Sequence, residues 1–297
     1  MSELRAEPDP LAGLLATLDL TDTGARTDED IFTGPSEWMP GGRVFGGQVY
    51  AQSIMAATRT VEADRAIHST HGYFLRPGDV SLPITFAVDR IHDGRSFSTR
   101  RTQAYQNGLP ILSMIASFQD DDPGLEHQQD APQGVPEPEE LPSASEVLGS
   151  IDHPVAQFWA TSRAFDIRHV EQPIYLAADP QRTPRQALWM RTVGEMPDSD
   201  ALHRAALAYA SDYSILEPIL RRHGLGWTHP GLKMASLDHA MWWHRPARVD
   251  EWLLYVQESP TSSGGRGLST GRIFTRDGVH VATIAQEGMV RVPELRE

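Results

Sequence analysis

The sequence predicts an α+β chain made of two tandem copies of one unit, each an antiparallel sheet wrapped around a helix. Three observations carry this. The 297-residue length is about twice the roughly 150 residues of an ordinary domain. The segment His68-Ser69-Thr70-His71-Gly72-Tyr73-Phe74-Leu75-Arg76-Pro77 is echoed by Asp238-His239-Ala240-Met241-Trp242-Trp243-His244-Arg245-Pro246, with 169 residues between Arg76 and Arg245. The strand-breaking pairs Asn107-Gly108 and Asp277-Gly278 keep nearly the same offset, 170 residues between their glycines. Two landmarks in one register mark a duplication. The open sheet edge of each unit then favours pairing with the other, giving one continuous sheet.

Taken in chain order, Leu11, Leu14, Leu15 and Leu18 fall at helical spacing and predict a short helix over residues 9–20. Asp30 to Thr33 begins the first strand. Gly41-Gly42-Arg43-Val44-Phe45-Gly46-Gly47-Gln48 leads into a helical run, Val49 to Thr58, whose small residues let a sheet approach closely. The glycines at its start either make a tight turn or aim backbone N–H groups at a ligand, since a helix N-terminus favours negative charge. Ile84 to Val88 alternates as a strand. The runs Ser96–Gln106 and Ile111–Phe118 flank Asn107-Gly108, a hairpin signal of type I′. Pro132, Pro136, Pro138 and Pro142 among acidic residues make Asp120 to about Ser150 a solvated connector. The expected division is therefore a first unit over 1–121, a connector over 122–160 and a second unit over 161–297. That second unit repeats the order with strands Phe165–Val170 and Ala187–Val193 and an alanine-rich helix, Ala201–Ser211. Lys233 to Pro246 reads as a buried strand running into an aromatic turn. Trp252–Val256, Leu268–Arg276 and Val279–Gln286 complete the sheet.

Composition narrows the function. A net charge of −14 argues against a nucleic-acid surface, which needs a basic face to neutralise phosphates. No apolar run approaches the roughly 18 residues of a membrane span, and no secretory leader is read at the start. The expected compartment is the cytoplasm. The absence of cysteine excludes disulfides, thiolate metal sites and a cysteine nucleophile.

Gly267-Leu268-Ser269-Thr270-Gly271 matches the nucleophile-elbow pattern in form only. An elbow lies between a strand and a helix, whereas a strand-like run and a hairpin turn follow here. Walker and dinucleotide fingerprints are missing, as is the His-Glu-x-x-His zinc motif. His239, His244, His68 and His71 read first as packing or turn residues, with His68 kept as a substrate-binding candidate. No metal or other cofactor is expected. Asp212 stands out because it closes the second helix between apolar neighbours, where a carboxylate is costly unless hydrogen-bonded or functional. Ser236 lies in an apolar strand and Gln286 near the end of another. A carboxylate, a hydroxyl and an amide together suffice to orient a water and take its proton.

These segments resemble the type II acyl-CoA thioesterases, the TesB-like double-hotdog enzymes. The likeness spans about Leu11 to Arg291 and rests on Phe45-Gly46-Gly47-Gln48, Phe74-Leu75-Arg76-Pro77-Gly78-Asp79, Tyr209-Ala210-Ser211-Asp212, Leu237-Asp238-His239, Trp243-His244-Arg245-Pro246 and Gln286-Glu287-Gly288, in that order. It implies two hotdog domains forming a pseudo-dimer, an acyl-CoA substrate, and further assembly into a homodimer or homotetramer. It carries over Asp212, Ser236 (where other members have Thr) and Gln286 as the set that binds the attacking water. Gly46 and Gly47 are candidates for stabilising the oxyanion. Trp242, Trp243, Tyr73 and Phe74 are candidates for lining an acyl channel, and Arg76, Arg245 and Arg266 for meeting CoA phosphates. Two rival readings share the fold: a non-catalytic acyl-CoA-binding module, and an enoyl-thioester hydratase. The hydratase pattern Asp-x-Asn-Pro-x-His does not fit a chain whose sole asparagine is Asn107.

Overall fold

The computed structural model describes residues 9–25 and 27–293. Helix α1 (Pro10–Leu18) is capped by Asp9, whose side chain accepts from the Leu11 N–H, and it buries Leu11, Leu14 and Leu18. The first copy continues with β1 (Thr21–Asp22), β2 (Asp30–Gly34), α2 (Gly46–Thr58), β3 (Ala66–Phe74), β4 (Ile84–Asp93), β5 (Phe97–Gln106) and β6 (Leu109–Gln119). The connector contains α3 (Ala144–Gly149) and α4 (Pro154–Thr161). The second copy has β7 (Phe165–His169), β8 (Arg185–Thr192), α5 (Asp200–Ser211) and α6 (Glu217–His223). It ends with β9 (Lys233–Ser236), β10 (Asp238–Trp243), β11 (Leu253–Ser263), β12 (Arg266–Thr275) and β13 (His280–Arg291).

All the described strands form one 13-stranded antiparallel sheet, in the order β1-β2-β4-β5-β6-β3-β10-β13-β12-β11-β8-β7, with β9 added on β13. Read outward from the β3–β10 seam, both halves have the same connectivity. His71 faces Ala240 across that seam, so the two echoed segments are the strands that join the copies. Beneath them α2 and α5 pack on each other. α2 is buried from Gly47 to Ala57, and α5 from Ala205 to Ser211. A helix enclosed on all sides must pair its polar groups internally. Gln52 does so by donating to Thr17 O and Pro35 O at 3.0 and 2.9 Å. Tyr50 Oη bonds Thr70 Oγ1 at 2.7 Å and donates to His239 O at 2.9 Å, tying α2 to both seam strands.

Three local expectations change. The Lys233–Pro246 segment is two strands, and Trp242 and Trp243 lie in β10 rather than in a turn. The break is at Leu237, whose N–H donates to Glu287 O while its carbonyl accepts from Phe74 N, both at 2.9 Å. The chain there passes from pairing with β13 alone to lying between β13 and β3. The two hairpin turns also differ. Asn107 and Gly108 both have positive φ (49° and 72°) as type I′ requires, whereas at Asp277-Gly278 only the glycine does (91°).

The connector, finally, is packed rather than free. Trp189 donates to Pro136 O at 2.9 Å, and Arg276 pairs with Glu137 and Glu139 at 2.7 and 2.8 Å. Ala131, Val135 and Leu141 cover the apolar group of Trp189, Trp252, Leu254 and Phe274. Its acidic and proline residues suggest solvation, but a few apolar side chains and one arginine suffice to dock it.

Candidate active site

The α5 helix ends at Ser211, and Asp212 is its C-cap. α2 begins at Gly46 after Phe45, which makes no side-chain cap. The first-turn N–H groups of α2 therefore need an outside acceptor, and the Asp212 carboxylate of the other copy accepts from the Gly47 N–H. Only glycine permits this meeting. A Cβ on Gly46 would lie 2.6 Å from Asp212 Oδ2, and one on Gly47 would collide with the Tyr209 carbonyl oxygen.

Two strands bring the other groups. Ser236 ends β9 opposite Gly288 of β13, two residues beyond Gln286. Gln286 Nε2 donates to Asp212 Oδ1 and to Ser236 Oγ, both at 2.8 Å. Ser236 Oγ donates to Asp212 Oδ1 at 3.3 Å. Gln286 is fully buried, and its Oε1 takes a hydrogen bond from His239 Nδ1. Since an amide oxygen only accepts, Nδ1 of His239 carries the proton; Nε2 lies 3.0 Å from Ser211 Oγ, whose hydroxyl donates to Ala208 O at 2.8 Å. Burial holds the ring neutral by lowering its pKa to about 4. All donors thus run one way, from the histidine through the amide to the carboxylate.

Burial raises the Asp212 pKa from 3.8 to about 6, against the opposing pull of Gln286, the Gly47 N–H and Ser236. The group is ionised at neutral pH yet basic enough to take a proton. Among the described residues no cluster of three or more His, Asp or Glu side chains is arranged to hold a metal.

Asp212, Ser236, Gln286, Gly46 and Gly47 therefore lie together. His68, Trp242 and Arg245 are engaged elsewhere. His68 Nε2 pairs with Ser117 Oγ at 2.8 Å, Trp242 meets the His71 ring edge-on at 5.1 Å, and Arg245 Nη1 donates to His280 O at 3.0 Å. Arg76 likewise donates to Pro110 O, and Arg266 pairs with Glu287. Tyr73 is 62% exposed, while the Phe74 ring lies 3.2 Å from where a Gly46 Cβ would sit. Ser269 of the elbow-like pattern is buried within β12. His239 is buried and packed on Tyr50 as the sequence leads one to expect, and it also holds the Gln286 amide, which its place in Leu237-Asp238-His239 does not reveal.

Among the described residues the repeat-equivalent positions of the first copy carry no matching polar set. α2 ends on Arg59 where α5 ends on Asp212. The repeat offsets put Ile67 at the place of Ser236 and Ala116 at that of Gln286. Among the described residues these three polar groups converge once, beside the α5 C-terminus.

Comparison with known proteins identifies the family. The profile of the acyl-CoA thioesterase family matches residues 163–289, and that of the acyl-CoA thioesterase N-terminal domain matches residues 34–119. Human acyl-coenzyme A thioesterase 8 is 40% identical over 283 residues, covering 91% of this chain and 88% of that protein. Acyl-CoA thioesterase 2 of Haemophilus influenzae is 37% identical over 274 residues, covering 91% and 95%. Among solved structures, an acyl-CoA thioesterase II from Mycobacterium marinum superposes with TM-score 0.76 at 40% identity over 94% of this chain and 98% of that one. A hot dog fold protein from Alicyclobacillus acidocaldarius, 18% identical with TM-score 0.76 over 95% and 98%, shares the fold. With two tandem hotdog units and relatives aligned over nearly its full length, the chain belongs to the acyl-CoA thioesterases of type II, a family of thioester hydrolases.

Proposed function

We propose that the chain hydrolyses acyl-CoA to free acid and CoA with Asp212 as general base for a water bound at Ser236, Gln286 holding both side chains in place. The observation that carries this reading is the convergence of those three side chains in one hydrogen-bonded set whose donors all point toward the carboxylate. Ser236 Oγ keeps a lone pair for a solvent proton, and Gln286 cannot turn because His239 holds its oxygen. As the water attacks the thioester carbonyl, its proton passes to Asp212. The C–S bond then breaks, and the thiolate leaves readily because a thiol has a pKa of about 8.5. Ser236 is not acylated. The oxyanion forms in the field of the α2 N-terminus, where Gly46 and Gly47 allow close approach. Acyl-CoA is the sole substrate besides water, and the family likeness supports a homodimer or homotetramer acting in the cytoplasm.

The test is the pH dependence of kcat with an N-acetylcysteamine thioester, whose leaving group has no titrating phosphate. The base must be ionised, so activity is lost as pH falls through the Asp212 value of about 6. The expected limb drops about tenfold per pH unit below that point. A flat profile from pH 5 to 8 on a stable enzyme would remove Asp212 from the role.

A further inference from the structure

A cavity of about 470 Å³ reaches the residues that adjoin Gly46 and Asp212 in the chain. Phe45 and Tyr213, the chain neighbours of Gly46 and Asp212, line it with their rings stacked 5.2 Å apart. Val155, Ala156 and Trp159 of α4 form another wall, with Trp227 beside them. Its two charged lining residues are tied to aromatic partners. The Arg163 guanidinium lies 4.9 and 5.3 Å from the Trp159 and Tyr213 ring centroids, and Glu217 accepts from Trp227 Nε1 at 2.8 Å. The remaining surface is largely aliphatic and aromatic.

We propose that α3 and α4 close the acyl-tail pocket, so that the connector, rather than the hotdog core, selects the chain length accepted. This rests on the hydrolase reading above and adds where the tail goes. A thioester carbonyl poised at Asp212 has Phe45 and Tyr213 as its nearest large apolar neighbours along the chain, and the tail beyond it needs a dry wall to lie against. The roof is a built element. Gln157 Nε2 donates to Gly149 O and Ile151 O at 2.9 and 2.8 Å, locking α3 to α4, and Phe158 meets Trp38 edge-on at 5.0 Å. At interior packing density a cavity of this size holds an extended tail on the order of ten carbons. Trp242 and Trp243, on β10, take no part in its lining.

The experiment measures kcat/KM across straight-chain acyl-CoAs from acetyl to palmitoyl for wild type, Ala156→Phe and Trp159→Ala. Ala156 is buried at the roof, so the phenyl ring fills the cavity. Its activity on medium tails is expected to fall at least about tenfold with acetyl-CoA held within about twofold. Trp159→Ala enlarges the cavity and moves the optimum to longer tails. Opposite shifts in two variants cannot arise from misfolding. An unchanged length profile in both variants, or a loss uniform across all lengths, overturns the proposal. Failure of the hydrolase reading looks different: the wild type then releases thiol from no member of the series.

Discussion

Asp212→Asn is expected to lower thiol release on the order of 10³-fold or more while leaving the fold intact. The asparagine has nearly the same shape and can still accept from Gln286 and Ser236, but it cannot take a proton from water. The same change reports on stability. Burial places the native carboxyl at about 6 against an ordinary 3.8, so between those values the folded state keeps a proton that the unfolded chain has released. Its favourable contribution is fully present below pH 3.8 and is lost as pH rises to about 6, because stability falls with pH wherever the native state binds more protons. Asparagine does not titrate. From pH 4 to pH 7 the stability difference should therefore move in favour of the variant, by about 2 kcal/mol. Urea unfolding at the two pH values measures this. A difference that stays constant with pH, together with turnover near that of wild type, contradicts both roles.

Gln286→Met should cost about 10²- to 10³-fold in kcat, comparable to losing an oriented donor at a reaction centre. The thioether fills similar space but removes both N–H donors from Asp212 and Ser236 and the acceptor for His239. Since Gln286 is the first of the groups that hold the Asp212 pKa down against burial, the residual activity should titrate at higher pH than in wild type. That alkaline shift separates a lost positioning group from general damage, which would lower the plateau without moving the limb. Acyl-CoA affinity, measured calorimetrically, should change little.

Much of this architecture is legible in the sequence, and the limits have physical causes. The offset between Arg76 and Arg245 reports the β3–β10 seam because both segments occupy the same place in equivalent sheets. Asn107-Gly108 is readable because only a tight turn with two positive φ values needs that pair. Asp212 draws notice as a carboxylate among alanines, while Ser236 and Gln286 gain meaning only from the family likeness. The His239–Gln286 contact spans 47 residues and depends on the cross-strand register of β10 and β13. No local pattern encodes it, so a buried histidine looks like packing. The connector misleads differently. Its prolines and acids describe a chain with little core of its own, but its docking depends on Trp189 and Arg276, which lie far along the sequence.

The central claim is that solvent, and not the Asp212 carboxylate itself, attacks the thioester. A single turnover in H₂¹⁸O with enzyme in excess of acyl-CoA tests it most directly. General-base chemistry puts the label in the released acid and none in the peptide that contains Asp212. Label in that peptide after one turnover would mean that Asp212 forms an anhydride with the acyl group, and would contradict the mechanism.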